Sequence, residues 1–219
     1  MKIPAWSYSS LKLFETCARK YQAEKVTKEV PFTQGEAALY GEQLHKAAEE
    51  YIRDGKPIDS RFAFIKPYLD KLNAIPGTKY CELKLGVKKN DGRLEACDFW
   101  DNDCWFRGVA DLVILDGDRA FVLDYKTGNA KYADTRQLAL MAAALFLKYP
   151  EIKRIKSLLA FVTVNEWRKE DFTAEAGLSI FSELNGLLTH LETAYTTNVW
   201  NPRKNGLCRK WCKVTDCPH

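Results

Sequence analysis

Phe121 to Lys126 reads "FVLDYK", an apolar run that ends in Asp124 and Lys126, and it follows "GVADLVIL" (Gly108 to Leu115) across the break "DGDR" (Asp116 to Arg119). Two β-rich runs around a Gly-containing break predict an antiparallel hairpin. If Gly117 and Asp118 are its central residues, Asp116 faces Arg119 and, counting outward, Asp111 lands opposite Asp124. If Asp116 and Gly117 turn instead, Asp111 faces Val122 and lies diagonal to Asp124. In either register strict alternation predicts Asp111, Asp124 and Lys126 on one face, with Tyr125 on the other. Opposed carboxylates repel each other and weaken a sheet, so something positive belongs between them. A hard cation such as Mg2+ or Mn2+ meets that need, because these ions take oxygen ligands and keep waters for chemistry. Lys126 is then placed to polarise a water or stabilise charge growing on a phosphoryl oxygen. The competing reading, a solvated edge with Asp111 paired to Arg107 or Arg119, has the commonness of surface ion pairs in its favour. Three charged groups converging at the end of an apolar run weigh against it, since polar groups at core positions need partners.

Outward from this hairpin the period of the sequence changes. "YCELKLGVKK" alternates Cys81, Leu83, Leu85 and Val87 against Glu82 and Lys84, which predicts a half-buried strand and, with the hairpin, a three-strand meander. An amphipathic helix is predicted from about Tyr132 to Tyr149, a fourth strand at "KSLLAFVTV", a fifth at "WRKEDFTA", and a helix from Ala176 to about Thr197. Upstream, spacings of three to four predict helices over Ser7 to Thr27, with Ser7 or Ser9 as cap, over Gly35 to Arg53, and over Asp59 to Leu72. Mixed strands with interleaved helices make an α/β sandwich. It is expected as one domain over 1–219, with a helical part at 1–75, a core at 76–197 and a tail at 198–219.

The 219 residues are 46% hydrophobic and 28% charged, which suits a globular domain and excludes a fibrous or disordered chain. A formal charge of +4 permits contact with phosphates without requiring it. No long apolar segment predicts a membrane span, and "MKIPAWSYSSLKLF" lacks the pattern of a signal peptide, so a cytoplasmic protein is expected. In that reducing setting disulfides are not expected, and clustered cysteines point to metal. Cys208, Cys212 and Cys217 crowd the tail, whereas Cys81, Cys97 and Cys104 lack ligand spacing and read as packing or surface residues. The tail also carries Arg203, Lys204, Arg209 and Lys210 as candidate nucleic-acid contacts. Trp200 and Trp211, interleaved with them, have the character of base-stacking residues.

"GVADLVIL", then "FVLDYKTG", then "QLALM" resembles the metal-dependent PD-(D/E)XK nuclease superfamily in its RecB-like exonuclease branch, whose pattern runs G-x-x-D, D-x-K-T-G and Q-x-x-x-Y. The resemblance implies a restriction-endonuclease-like core, a mixed central sheet flanked by helices, with the helical amino-terminal region and Cys-rich tail added to it. It also implies that Asp111 and Asp124 bind Mg2+ or Mn2+, that the backbone carbonyl of Tyr125 is a further ligand, that Lys126 serves the water, and that Gln137 orients the site or the strand end. Met141 stands where the family has tyrosine; Tyr125 or Tyr132 is a substitute for that ring. "GEQLHKAAEEY" is similar to the branch's helix with G-x-x-x-H, making His45 a nitrogen ligand, with Glu82 a further metal-proximal acid. Cys17 with Cys208, Cys212 and Cys217 resembles the split set that holds a 4Fe–4S cluster, with Zn2+ as the alternative. The spacing C-x3-C-x4-C departs from the usual C-x2-C-x5-C in its middle cysteine. The function implied is a DNA exonuclease acting on free or single-stranded ends, with phage, recombination or CRISPR-adaptation proteins as partners. A different class, a binding module for single-stranded nucleic acid that keeps the fold and no longer cuts, is the alternative.

Overall fold

The computed structural model describes residues 3–31 and 33–219, with the backbone alone at position 132. In chain order the helices are α1 (Tyr8–Thr16), α2 (Ala18–Tyr21), α3 (Glu36–Asp54), α4 (Lys66–Ala74), α5 (Arg136–Lys148), α6 (Ala174–Glu183) and α7 (Asn185–Thr197). The strands are β1 (Thr78–Asn90), β2 (Arg93–Cys97), β3 (Cys104–Asp116), β4 (Arg119–Lys126), β5 (Arg154–Phe161) and β6 (Glu166–Thr173). The chain forms two compact units, residues 34–180 and the residues up to Thr33 together with 181–219.

The larger unit is built on a six-stranded sheet in the order β2-β1-β3-β4-β5-β6. Its pairs are antiparallel except β4 with β5, which run parallel because α5 carries the chain back between them. The expected meander is thus interrupted: β2, too short to stand out in the sequence, folds back on β1 as an edge hairpin before β3 enters on the other side. The β3–β4 hairpin adopts the first of the two predicted registers, with Asp116 opposite Arg119 and Leu115 opposite Ala120, and Gly117 supplies the left-handed turn residue at φ 59°.

Period-two alternation decides which helix covers which face. Leu112, Ile114, Leu123, Tyr125, Ala160 and Val162 form one core with Leu44 and Ala48 of α3 and Leu69 and Leu72 of α4. On the opposite face Leu159 and Phe161 of β5 pack with Leu138 of α5. Burying these side chains contributes about 1.5–3 kcal/mol each before conformational entropy is subtracted. The predicted helix over Asp59 to Leu72 begins as a 3-10 segment at Ser60–Ile65, which buries Phe62 and Ile65 in the first core before α4 starts.

In the smaller unit the helix expected over Ser7 to Thr27 is broken. Ser7 caps α1 through a reciprocal box with Ser10, but Cys17 takes an extended backbone (φ −166°, ψ 114°), and the chain re-enters as α2 and a π-turn over Gln22–Val26. Tyr21 stacks on Trp200 with ring centroids 5.9 Å apart, and its hydroxyl lies 3.1 Å from that of Tyr195. Trp200 is 7% exposed, so the base-stacking role expected of it is overturned: its ring is consumed by this aromatic core, while Trp211 remains 70% exposed. The helix expected from Ala176 to Thr197 is two, α6 and α7, with Leu184 between them. Among the described residues no helix is long and apolar enough to cross a membrane.

Candidate active site

Pairing between β3 and β4 runs only as far as Leu112 with Leu123. Beyond it the strands part, and the Tyr125 N–H donates to Asp111 Oδ2 at 2.7 Å instead of continuing the ladder. On the other side of β3, Cys81 pairs with Leu112 and Leu83 with Ala110, while the step between them, Glu82 with Asp111, is missing. Glu82 sits there at φ 51°, a left-handed conformation that costs a non-glycine residue about 1–3 kcal/mol and survives where the surroundings over-determine it.

This irregularity alters which side chains meet. Gly108 faces α5: a β-carbon built there would lie 2.4 Å from Met141 Cε. Leu112, of the same parity, packs with α3 and α4 on the opposite face. Alternation therefore breaks between them, at the Glu82–Asp111 step. Asp111 and Glu82 line a cavity of about 660 Å3 whose other wall is α3, with Gly41, His45 and Glu49. Asp124 keeps the parity opposite to Leu123 and Tyr125 and is held by Gln137 of α5. The expectation that strict alternation sets Asp111 and Asp124 on one face is thus corrected: they flank the point where the strands separate.

His45, Glu82 and Asp111 each offer a ligand atom within 4.8 Å of the others, the one such group of three or more among the described residues. His45 Nδ1 is 3.3 Å from Asp111 Oδ2, and its ring meets the Tyr125 ring edge-on at 5.8 Å. Gly41, one turn before His45, brings α3 close to the loop after β4, where an added β-carbon would stand 3.1 Å from Thr127 Oγ1. Beside this group Lys126 Nζ lies 2.6 Å from Asp124 Oδ2 and donates to Gln137 Oε1 at 2.9 Å, while Gln137 Nε2 donates to Asp124 Oδ1. Gln137 therefore bridges the acid and the ammonium. Asp124 Oδ2 is buried and its close partner is the Lys126 ammonium.

The electrostatics reflect crowding under burial. Burial, then the Asp111 charge, pushes the Asp124 carboxyl up to about 6 against the pull of Lys126. Burial and Asp111 likewise raise Glu82. For His45 burial works against protonation, yet the hydrogen bond and charge of Asp111, with Asp124 behind it, outweigh it and raise the imidazole above its ordinary value. A divalent cation fits this donor set: three hard or borderline ligands converge, and the buried carboxylate of Asp124 stands next to them.

Of the other expected residues, Met141 is 3% exposed and fills the space that Gly108 leaves, so the position where the family has tyrosine faces the core here. The Tyr132 side chain, the alternative to Tyr125 as a substitute ring, lies outside the described residues. Tyr125 itself is buried at 3%. Cys17, Cys208, Cys212 and Cys217 line one small cavity of about 20 Å3 together with His219. The Arg203 N–H donates to Cys17 Sγ at 3.3 Å and the Asn205 N–H to Cys208 Sγ at 3.4 Å. Arg203, Lys204, Arg209 and Lys210 are exposed, and the Arg203 guanidinium is engaged by the carbonyl of Glu15. Burial pushes the Cys81 thiol up to about 11 and Cys97 up to about 12, keeping both neutral. Glu49, one turn after His45 on the cavity wall, was not singled out by the sequence; the i, i+4 spacing from His45 was its signal.

Two solved structures are similar over nearly the whole chain. A candidate exonuclease from Eubacterium rectale superposes with a TM-score of 0.56 at 12% identity, covering 98% of this chain and 90% of that one. The fold is restriction-endonuclease-like. The protein SSO0001 superposes with a TM-score of 0.51 at 15% identity, covering 100% of this chain and 88% of that one. A profile of the PD-(D/E)XK nuclease superfamily matches residues 5–73, the stretch that carries His45 and not the one that carries Asp111, Asp124 and Lys126. No curated protein matches the chain.

Two outcomes are expected of this geometry. Glu82→Gly removes the strained side chain, so the metal-free protein should unfold in urea at equal or higher concentration than wild type, while Mn2+ affinity measured by titration calorimetry falls at least about tenfold. Because Asp124 and His45 are both raised, the folded state holds protons that the unfolded state loses first. Their contribution is therefore greatest at low pH, declines as pH rises from about 4 to 6 through Asp124, and declines again above about 6.5 through His45. In EDTA, urea melts should show this decline, and Mn2+ should stabilise the protein much more at pH 7 than at pH 5; equal stabilisation at both would contradict it.

Proposed function

We propose that the chain is a divalent-cation-dependent nuclease that hydrolyses DNA phosphodiester bonds, working as an exonuclease from free or single-stranded ends. The observation that carries this reading is the convergence of His45, Glu82 and Asp111 in an open cavity, beside the buried Asp124–Lys126–Gln137 group. The restriction-endonuclease-like fold and the nuclease profile over residues 5–73 support it, as does the candidate exonuclease among its structural neighbours. The motif "GVAD", "DYKTG" and Gln137 favours the RecB-like branch, with DNA recombination, phage or CRISPR adaptation as the setting.

His45, Glu82 and Asp111 would hold one Mg2+ or Mn2+, with Asp124 and the Tyr125 carbonyl as the adjoining ligands. The cation supplies positive charge to a phosphodiester and acidifies the water it carries. Lys126 contributes an ammonium at the cavity wall, 33% exposed and therefore open to substrate, that stabilises negative charge on a phosphate oxygen and orients a water. Gln137 accepts from Lys126 and donates to Asp124, which fixes the geometry of the ion pair the two make. An inactive binding module would have no use for this bridge or for the strain at Glu82, which favours the enzyme.

For the thiol cavity the reading is a 4Fe–4S cluster on Cys17, Cys208, Cys212 and Cys217. Zinc, held at about 2.3 Å from each sulfur, is the alternative occupant. A cluster spaces its cysteine sulfurs more widely, and N–H donors to Cys17 and Cys208 are the kind of contact that tunes one.

Wild-type protein should degrade end-labelled DNA with Mn2+ and stop in EDTA, and Asp124→Ala should lower the rate at least about a hundredfold. Cleavage indifferent to EDTA, or none at any metal concentration, would remove the nuclease reading. Separately, anaerobically purified protein should be brown with four irons per chain; a colourless protein with one zinc would assign the thiols to zinc.

A further inference from the structure

Outside the cavity, the β1–β3 ladder leads to a second group of residues. From the missing Glu82–Asp111 step, Lys84 pairs with Val109 and Gly86 with Arg107. At about 3.4 Å per residue Arg107 lies roughly 14 Å along the strand from Asp111. Gly108 faces Met141, so Val109 and Arg107 turn to the other side, and Val109 lines the cavity. Gly86 is the crossing point: a β-carbon there would stand 2.9 Å from the Cys97 carbonyl oxygen and 3.0 Å from that of Asp98. Only a glycine lets the chain after β2 pass so closely over β1.

That crossing carries Phe99 and Trp100. Trp100 is 67% exposed and meets Phe99 edge to face with centroids 4.9 Å apart. Lys84 Nζ lies 5.2 Å from the Trp100 ring and 5.8 Å from Phe99, and the Arg107 guanidinium 5.8 Å and 5.6 Å from the same rings. The loop is held rigid. Trp100 N–H donates to Asp98 Oδ1 at 2.8 Å, Asp101 N–H to the Asp98 carbonyl at 3.1 Å, and Arg107 Nη2 to the Asp101 carbonyl at 3.2 Å. These bonds hold Trp100 in water beside the half-buried Phe99 and the two cations, with one ring face turned away from the core.

Resting on the nuclease reading, we propose that Phe99, Trp100, Lys84 and Arg107 form a platform that holds the unpaired nucleotides of a single strand entering the cavity. The occupant follows from the chemistry. Two cations flank aromatic faces, which matches a chain of alternating phosphates and bases, and the patch continues along the strands that carry Glu82 and Asp111. A base inside a duplex has both faces covered by its neighbours and a duplex offers a face only at its end, whereas every unpaired base of a strand offers one to Trp100. The platform thereby assigns single-stranded nucleic acid as the substrate form that the cavity receives, and places the grip on the sheet edge.

The test is a titration of fluorescein-labelled oligothymidylate in EDTA, where no cleavage competes, read by anisotropy at several salt concentrations. Trp100→Ala should weaken binding about tenfold and Trp100→Phe much less, and Lys84→Gln should reduce the slope of log affinity against log salt by about 0.7. Thermal melting and Mn2+ affinity of Trp100→Ala should match wild type, because the ring is exposed and lies away from the ligand set. Unchanged oligothymidylate affinity in Trp100→Ala overturns the platform. So does a dimer in sedimentation that this variant dissociates while the oligonucleotide affinity stays the same, which would make the patch a contact between copies. Binding that depends on Trp100 in a protein that never cleaves leaves the platform standing and removes the nuclease reading; cleavage with binding indifferent to Trp100 does the reverse.

Discussion

Negative charge held out of water at the parting of β3 and β4 is the constraint around which the larger unit is arranged. Asp124 is 4% exposed; burial and then the Asp111 charge raise its pKa, and burial and then Asp111 raise that of Glu82. Left alone, such a group would protonate or pull the strands apart. The surrounding structure opposes this at each point: the Tyr125 N–H caps Asp111, Gln137 and Lys126 hold Asp124, and His45 leans on Asp111 from α3. What is left over is surplus negative charge facing a cavity. A site crowded with buried negative charge in this way is one in which stability is exchanged for the capacity to bind a cation.

The same constraint accounts for the placing of glycines. Gly41 lets α3 approach the loop after β4, Gly108 makes room for Met141, and Gly86 lets the chain after β2 cross β1. At Gly86 a β-carbon would meet backbone carbonyls and block the approach, while at Gly41 and Gly108 the Thr127 hydroxyl and the end of Met141 would have to give way; these approaches set the His45 helix, the packing of α5 and the aromatic loop in place. The left-handed Glu82 belongs with them as the opposite case, a residue kept despite strain because its carboxylate is wanted where the ladder breaks.

Much of this was legible in the order of residues. Alternation in "GVADLVIL" and "FVLDYK" located β3 and β4, and the pairing of Asp116 with Arg119 is the register obtained by counting from Gly117 and Asp118. Helical spacing placed His45 on α3, and the motif grouped Asp111, Asp124, Lys126 and Gln137. Other features left no such trace. β2 has five residues and no clean alternation, Cys17 sits in a helical pattern that its own backbone breaks, and the burial of Trp200 depends on Tyr21, which is 179 positions away.

Local pattern therefore determined which segments are strands and helices, which charged groups end an apolar run, and which residues share a periodic face, because those properties depend on neighbours within a turn or a strand. Tertiary structure alone decided the rest. One left-handed residue breaks the alternation of β1 and β3, so that Asp111 joins His45 and Glu82 across the sheet while Asp124 turns to Gln137. It also decided that Trp100 stands in water between two cations while Trp200 is buried. The physical reason is that strain, close approach and burial arise from contacts between residues far apart in sequence, and no short window of the chain contains both partners.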